Sequence, residues 1–196
     1  MPDAKLLSVL ESLRDRGALG EPSLPRAVGH ADSFVSRIPA TAGSLIDLGS
    51  GGGLPGLVVA VRRPDLRVVL VDRRERRMDL LRLACAQLGV AERVTVLTAD
   101  VVRLAKDRAQ RGKYDVVTAR AFGDPMWTLR CAVPFLSTDG VVLVSEPPFA
   151  DAEIRWPAED VERLGVRARP LAVETAETFG AVRCFDRIVP GQPSVP

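Results

Sequence analysis

An alternation that begins at Ser44 constrains this chain more than any other feature. Five short apolar runs, 44–48 (SLIDL), 66–72 (LRVVLVD), 93–98 (RVTVLT), 114–119 (YDVVTA) and 140–145 (GVVLVS), are rich in β-branched residues. Each has the length of a strand buried on both faces. Segments with helical spacing fill the gaps, at 54–62, 74–88, 100–111 and 125–136. In the second of these, Leu81, Ala84, Cys85 and Leu88 share one face, and Gly89 supplies a stop. Five strands separated by four helices predict βαβ units and an α/β fold with a doubly wound, mostly parallel sheet.

The flanks extend this core. Leu6, Leu7, Val9, Leu10 and Leu13 recur at helical spacing over 4–16, and a second helical stretch covers 27–38, so residues 1–43 form a helical N-terminal extension. After Pro147-Pro148 a short helix over 158–164 leads to two strands, 166–174 and 181–189, joined by TAETFG as an antiparallel C-terminal hairpin on the sheet edge. The Rossmann-like core then runs over 44–189, and residues 190–196 form a frayed tail. With 196 residues the expectation is a single domain.

Composition narrows the chemistry. The net charge of +2 excludes a strongly basic nucleic-acid coat. Three of the 27 basic residues are lysine, leaving 24 arginines, whose planar fork suits phosphate. Cys85, Cys131 and Cys184 are odd in number and widely spaced, against a disulfide framework or a CxxC metal site. His30 is the single histidine, so neither a His-based zinc site nor a pair of histidine bases can be built, and no metal is expected. With no apolar run near membrane-spanning length and no hydrophobic signal core at the start, the chain reads as soluble, unprocessed and cytoplasmic, with no membrane partner.

The stretch Ile46-Asp47-Leu48-Gly49-Ser50-Gly51-Gly52-Gly53-Leu54-Pro55-Gly56 leaves the first strand, turns on glycines and enters a helix. Glycine permits unusual dihedrals and lets a ligand lie against the backbone, at the end of the sheet where α/β proteins bind ligands. Asp72 closes the second strand 19 residues after Gly53, a spacing that suits both hydroxyls of an adenosine ribose. Loop and acid together specify a nucleoside-containing cofactor. NAD and S-adenosylmethionine both fit that outline. Asp47 favours the second, because a carboxylate beside the loop repels a pyrophosphate and attracts the ammonium of a methionine moiety. A structural cap is the alternative role for Asp47.

At these residues the chain resembles the class I methyltransferases, and within them the RsmG/GidB family of ribosomal small-subunit methyltransferases. The likeness rests on IDLGSGGGLPG (46–56), LVDRRERRMDLLRLACAQLGV (70–90) and DVVTARAF (115–122), and extends more weakly to His30-Ala31-Asp32-Ser33. It implies methyl transfer from S-adenosyl-L-methionine to N7 of a guanine in small-subunit rRNA, with rRNA or the small ribosomal subunit as partner. It further implies that Gly49 and Leu54 line the methionine and ribose side, that Asp72 holds the ribose, and that Val101 and Val102 flank the adenine. Arg120 would reach cofactor or substrate from the fourth strand. Asp100 would meet the adenine amine or cap the helix after it. The expected cofactor-binding set is Asp47, Gly49, Ser50, Gly51, Gly53, Leu54, Asp72, Arg73, Asp100, Val101, Val102 and Arg120, with no catalytic residue assigned.

Guanine N7 carries a free lone pair, so its methylation needs positioning and no base, which agrees with the scarcity of histidine. After the fifth strand the family usually carries a lysine followed by glycine, whereas this chain reads Leu143-Val144-Ser145-Glu146-Pro147, and it lacks the family's basic tail. A small-molecule acceptor, or a noncatalytic cofactor- or RNA-binding module, are the alternatives. Residues 62–82 carry eight arginines against four acids, read either as an RNA footprint or as a solvated helix face. Phe122, Trp127 and Phe149 are the aromatics placed after the fourth and fifth strands, and the oligomeric state is left open.

Overall fold

The computed structural model describes residues 2–147, 152–170 and 181–189. The strands are β1 (Ser44–Leu48), β2 (Arg67–Asp72), β3 (Val94–Thr98), β4 (Tyr114–Ala119), β5 (Leu136–Ser145), β6 (Val166–Ala168) and β7 (Val182–Arg187). They form one sheet in the order β3-β2-β1-β4-β5-β7-β6. β1 to β5 are parallel, and β7 runs antiparallel between β5 and β6. The chain winds outward from β1 through β2 to β3, then crosses back to β4 on the other side of β1. That reversal opens a crevice at the carboxyl ends of β1 and β4, the usual ligand position in such sheets.

Strand residues alternate between two cores. Val141 and Leu143 of β5 join one cluster, while Val142 and Val144 join the other, as the two-residue period of a strand requires. The first core is closed by α1 (Pro2–Asp15), α2 (Leu24–Val35), α3 (Gly56–Arg62) and α4 (Glu75–Leu88), through Leu6, Leu10, Phe34, Leu57 and Leu81. The second is closed by α5 (Val101–Leu104), α6 (Pro125–Ala132) and α8 (Ala158–Arg163), with Phe135, Trp156 and Phe185 at its centre. Arg62 of α3 bridges Asp3 of α1 at 2.5 Å and Asp32 of α2 at 3.0 Å, which fastens the helical extension to the core.

The α/β class, the five parallel strands and the antiparallel β7 are as the sequence predicts, while several boundaries differ: α2 covers Leu24–Val35 where 27–38 is expected, and β6 ends at Ala168 within the expected 166–174. The helix expected over 100–111 ends at Leu104. There the Asp107 carboxylate accepts the Ala109 N–H at 2.9 Å and Arg111 donates to the Ala105 carbonyl at 2.7 Å, so side chains compete with the helical ladder. The helix expected to reach 136 stops at Ala132 in a 3-10 turn containing Pro134, which has no N–H to continue it. β5 starts at Leu136, earlier than expected, because a register shift between Tyr114 and Val116 of β4 absorbs the extra residues. The short α7 (Ala152–Arg155) has no forecast in the sequence. Phe149, the hairpin connection 175–180 and the tail lie outside the described residues.

Candidate active site

The glycine loop is built by sequence-distant hydrogen bonds. Ser50 N–H donates to the Val71 carbonyl at 2.9 Å, its hydroxyl accepts the Val71 N–H at 3.0 Å and donates to the Asp47 carbonyl at 2.9 Å. These bonds tie the loop to β2 and bury Ser50. Two glycines of the loop are required by close approach. A Cβ at Gly53, where φ is +95°, would lie 2.4 Å from Leu57, and one at Gly49, where φ is +68°, would lie 2.5 Å from the Phe122 ring.

Asp72 stands at the carboxyl end of β2. Its Oδ2 accepts the Gly51 N–H at 3.1 Å and its Oδ1 accepts the Arg74 N–H at 2.9 Å. Two backbone donors fix the carboxylate in place, and each oxygen keeps a second lone pair for a ligand hydroxyl. A cavity of about 330 Å³ opens there, walled by Gly49, Asp72, Arg73, Asp100, Val101 and Val102 of the expected set. Arg74, Arg77, Ala99, Ala121, Phe122 and Trp127 complete it. Phe122 and Trp127 stack at 5.0 Å between centroids with planes 17° apart, and Trp127 is 43% exposed at the rim. Asp100 also caps α5, accepting the Arg103 N–H at 3.0 Å, so its alternative role is realised.

Ala121 and Phe122 separate this cavity from a second of about 340 Å³, walled by His30, Arg120, Ser145, Glu146 and Arg155 among others. Arg120 lies here rather than in the first cavity, and donates to the Glu21 carboxylate from the linker after α1. Ala121 holds φ +50°, a conformation that costs a residue with a Cβ, at the point dividing the two spaces. His30 packs edge-on against Phe34 at 5.5 Å, and its Nε2 is buried without a hydrogen bond among the described residues. Burial, then the nearby Arg120 charge, pushes the imidazole below its ordinary pKa and keeps it neutral.

Asp47, Ser50, Gly51, Gly53 and Leu54 wall neither cavity; they form the floor and frame of the loop. Asp47 is 1% exposed. It sits opposite Thr118 in the β1–β4 register and accepts the Thr118 hydroxyl at 2.6 Å through Oδ1. Its Oδ2 lies against Gly56 at the start of α3, buried and without a well-formed hydrogen bond among the described residues. Burial raises its pKa to about 6 against the pull of the Thr118 hydrogen bond. A buried carboxylate with an unsatisfied oxygen beneath a ligand loop is costly, and a cationic ligand group above it would offset the cost.

Glu146 is 4% exposed and does not present its charge to solvent. It accepts the Trp156 indole N–H and the Arg155 Nε at 2.8 Å, and Arg183 lies 3.6 Å away. Arg155 is thereby aimed into the second cavity, so the acid at the lysine's place brings an arginine with it.

A family model described as "rRNA small subunit methyltransferase G" (GidB) matches residues 30–176. The chain belongs to the RsmG/GidB family. It is a class I methyltransferase dependent on S-adenosylmethionine. It is 31% identical to the ribosomal RNA small subunit methyltransferase G of Synechococcus sp. (strain WH7803), over 98% of this chain and 82% of that one. It is 34% identical to the protein of the same description from Kineococcus radiotolerans, over 90% of this chain and 69% of that one. Among solved structures, a putative O-methyltransferase from Klebsiella pneumoniae superposes with a TM-score of 0.66 at 15% identity, covering 94% of this chain and 90% of that one. An O-methyltransferase from Bacillus cereus in complex with SAH gives 0.65 at 14%, covering 95% and 91%. These two likenesses concern the fold alone. Among the described residues no helix is long and apolar enough to cross a membrane.

Proposed function

We propose that the RsmG/GidB chain described here methylates N7 of a guanine in small-subunit rRNA, with S-adenosylmethionine spanning the two cavities. The observation that carries this reading is the pair of adjoining spaces at the β1/β4 crevice, the first holding the Asp72 carboxylate and the second flanked by the Arg120 guanidinium. The residues fit the cofactor. Asp72 has free lone pairs for the ribose hydroxyls, Val101 and Val102 offer an apolar wall to the adenine, and Gly49 lines the same cavity. Asp47 acts from beneath the loop through its charge, and Arg120, paired with Glu21, offers hydrogen-bond donors to a carboxylate.

When bound, the cofactor would supply an electrophilic methyl group on a sulfonium, with a neutral thioether as the leaving group once an acceptor lone pair bonds to the methyl carbon. Guanine N7 has that lone pair and loses no proton on attack, so the protein needs to align two partners and exclude water. Phe122 and Trp127 give a flat aromatic surface at the dividing wall, suited to a base removed from its stack. His30, held neutral, adds no positive charge against the cationic product.

Radiolabelled methyl transfer from S-adenosylmethionine to small-subunit rRNA, followed by mass mapping of the modified nucleotide, tests the reading. Label at a guanine N7 is expected. Label confined to a small molecule, or none despite cofactor binding, overturns it.

A further inference from the structure

Eight arginines over 62–82 look like one basic cluster in sequence, but the fold divides them. Arg62, Arg63 and Arg82 are taken up by Asp3 and Asp32, by Asp65 and by Asp79. Across the described residues ten arginines make an ion pair with a carboxylate. Arg73, Arg74, Arg76 and Arg77 do not, and among the described residues their side chains carry no hydrogen bond. The fold adds a fifth unpaired arginine from far away in sequence. Arg16, at the end of α1, shares a depression with Arg74, Arg76 and Arg77, floored by Gly17, Ala18 and Leu80. Arg73, Arg74 and Arg77 also wall the first cavity, so the five form one continuous strip from the cavity rim to α1.

The cofactor does not account for them. On the proposed binding mode the first cavity takes the adenosine end of S-adenosylmethionine, which has no phosphate and no negative charge; its one carboxylate lies at the methionine end. Three arginines on the adenosine side therefore have no anion in the cofactor to meet. The acids nearby do not neutralise the strip either: Asp15, which also lines the depression, pairs with Arg14, Asp79 pairs with Arg82, and Asp100 caps α5, so that Asp72, held by two backbone N–H groups, and Glu75 stand against five cations. Unpaired arginines packed this closely repel one another unless a polyanion lies across them.

We propose that Arg16, Arg73, Arg74, Arg76 and Arg77 form a track for the phosphate backbone of the RNA substrate, which enters over the adenosine side of the cofactor and crosses the gap between α1 and α4. The proposal rests on the rRNA reading and adds the direction from which the strand arrives. Phosphate contacts of this kind position the strand and leave recognition of the base to the cavity.

The test is the double variant R16A/R76A, in residues that wall neither cofactor cavity. Binding to a small-subunit rRNA transcript is measured between about 50 and 200 mM salt, with cofactor affinity measured by calorimetry. The expected result is unchanged cofactor affinity, roughly tenfold weaker RNA binding at low salt, and a salt dependence shallower by about 1.4 to 1.8 in log K against log salt, the release expected for two phosphate contacts. R67A/R108A removes two exposed arginines near the amino ends of β2 and β4, at the opposite end of the sheet, and should bind as the parent does. Equal slopes for R16A/R76A and the parent, or equal losses in both double variants, overturn the track while leaving the function intact. A parent chain that neither binds nor methylates the transcript overturns the function first. Binding to phosphatidylserine vesicles with no affinity for the transcript would assign the strip to a lipid surface instead.

Discussion

Replacing Asp47 with Asn separates what this residue costs the fold from what it contributes to the cofactor. The carboxyl is fully buried, and its pKa rises from 3.8 to about 6. The folded state therefore holds the proton more tightly than the unfolded chain. Its contribution to stability is fully present below pH 3.8 and is lost as pH rises through about 6. A rise of that size corresponds to about 3 kcal/mol at neutral pH. Asn keeps an oxygen for the Thr118 hydroxyl and carries no charge. In urea denaturation, D47N and the parent should be nearly equal at about pH 4, and the variant should gain about 3 kcal/mol by about pH 7.5. His30 works with the opposite sign, since its lowered pKa makes stability fall as pH drops below 6.5, but it is common to both proteins and cancels in the difference. Cofactor affinity should move the other way: it rises with pH between about 5 and 7 in the parent, as Asp47 ionises beneath the methionine ammonium, and is weaker and flat over that range in D47N. A stability gap that stays constant from about pH 4.5 to 8 refutes the buried-charge account, and full cofactor affinity in D47N refutes the role proposed for the carboxylate.

Asp72→Asn should weaken cofactor binding about tenfold or more by calorimetry, since hydrogen bonds to a charged acceptor contribute about 1.5 to 3 kcal/mol; an unchanged affinity would remove the ribose from this site. Glu146→Ala should cost about 3 to 5 kcal/mol in denaturation, because Arg183, 7% exposed, is left with an uncompensated buried charge. Glu146→Lys should be worse still, and a stable E146K protein would contradict the pairing of Glu146 with Arg155 and Arg183. Trp127 is exposed at the cavity rim while Trp156 is buried, so cofactor titration should change tryptophan fluorescence in the parent and not in W127F.

The sheet is legible in the sequence because its signals are local. β-branched runs of strand length and the glycines at the first turn each lie within a few residues, and their order alone implies the crevice. The cavity walls at Asp72, Val101 and Val102 follow from strand ends for the same reason. Pairings closed only by the fold leave no such signal: Ser50 with Val71, Arg120 with Glu21, Glu146 with Arg155 and Arg183. Charge counts suffer most. Of the eight arginines over 62–82, Arg63 and Arg82 pair with Asp65 and Asp79 of the same stretch, Arg62 is taken by Asp3 and Asp32 from the helical extension, Arg67 opens β2, and Arg16 from that extension joins the remaining four. Glu146 reads as a lost base in sequence; in the fold its charge is spent on cations, one of which faces the cavity.

The two cavities consequently differ in electrostatic character, and the difference suits the proposed chemistry. Around the first, arginines stand without counter-ions at the rim, where an RNA backbone brings negative charge at every nucleotide. Around the second, Arg120 and Arg155 are each matched by a carboxylate, Glu21 and Glu146. Methyl transfer to N7 moves a positive charge from the sulfur to the base. A wall of unpaired arginines beside that base would oppose the transfer, since like charges a few ångströms apart in a low-dielectric site repel strongly. Paired cations, with a histidine held neutral beside them and Asp47 buried below the loop, remove that opposition while still offering hydrogen-bond donors. The separation of unpaired from paired arginines thus lets this chain attract a polyanion with one rim and generate a cation a few residues away.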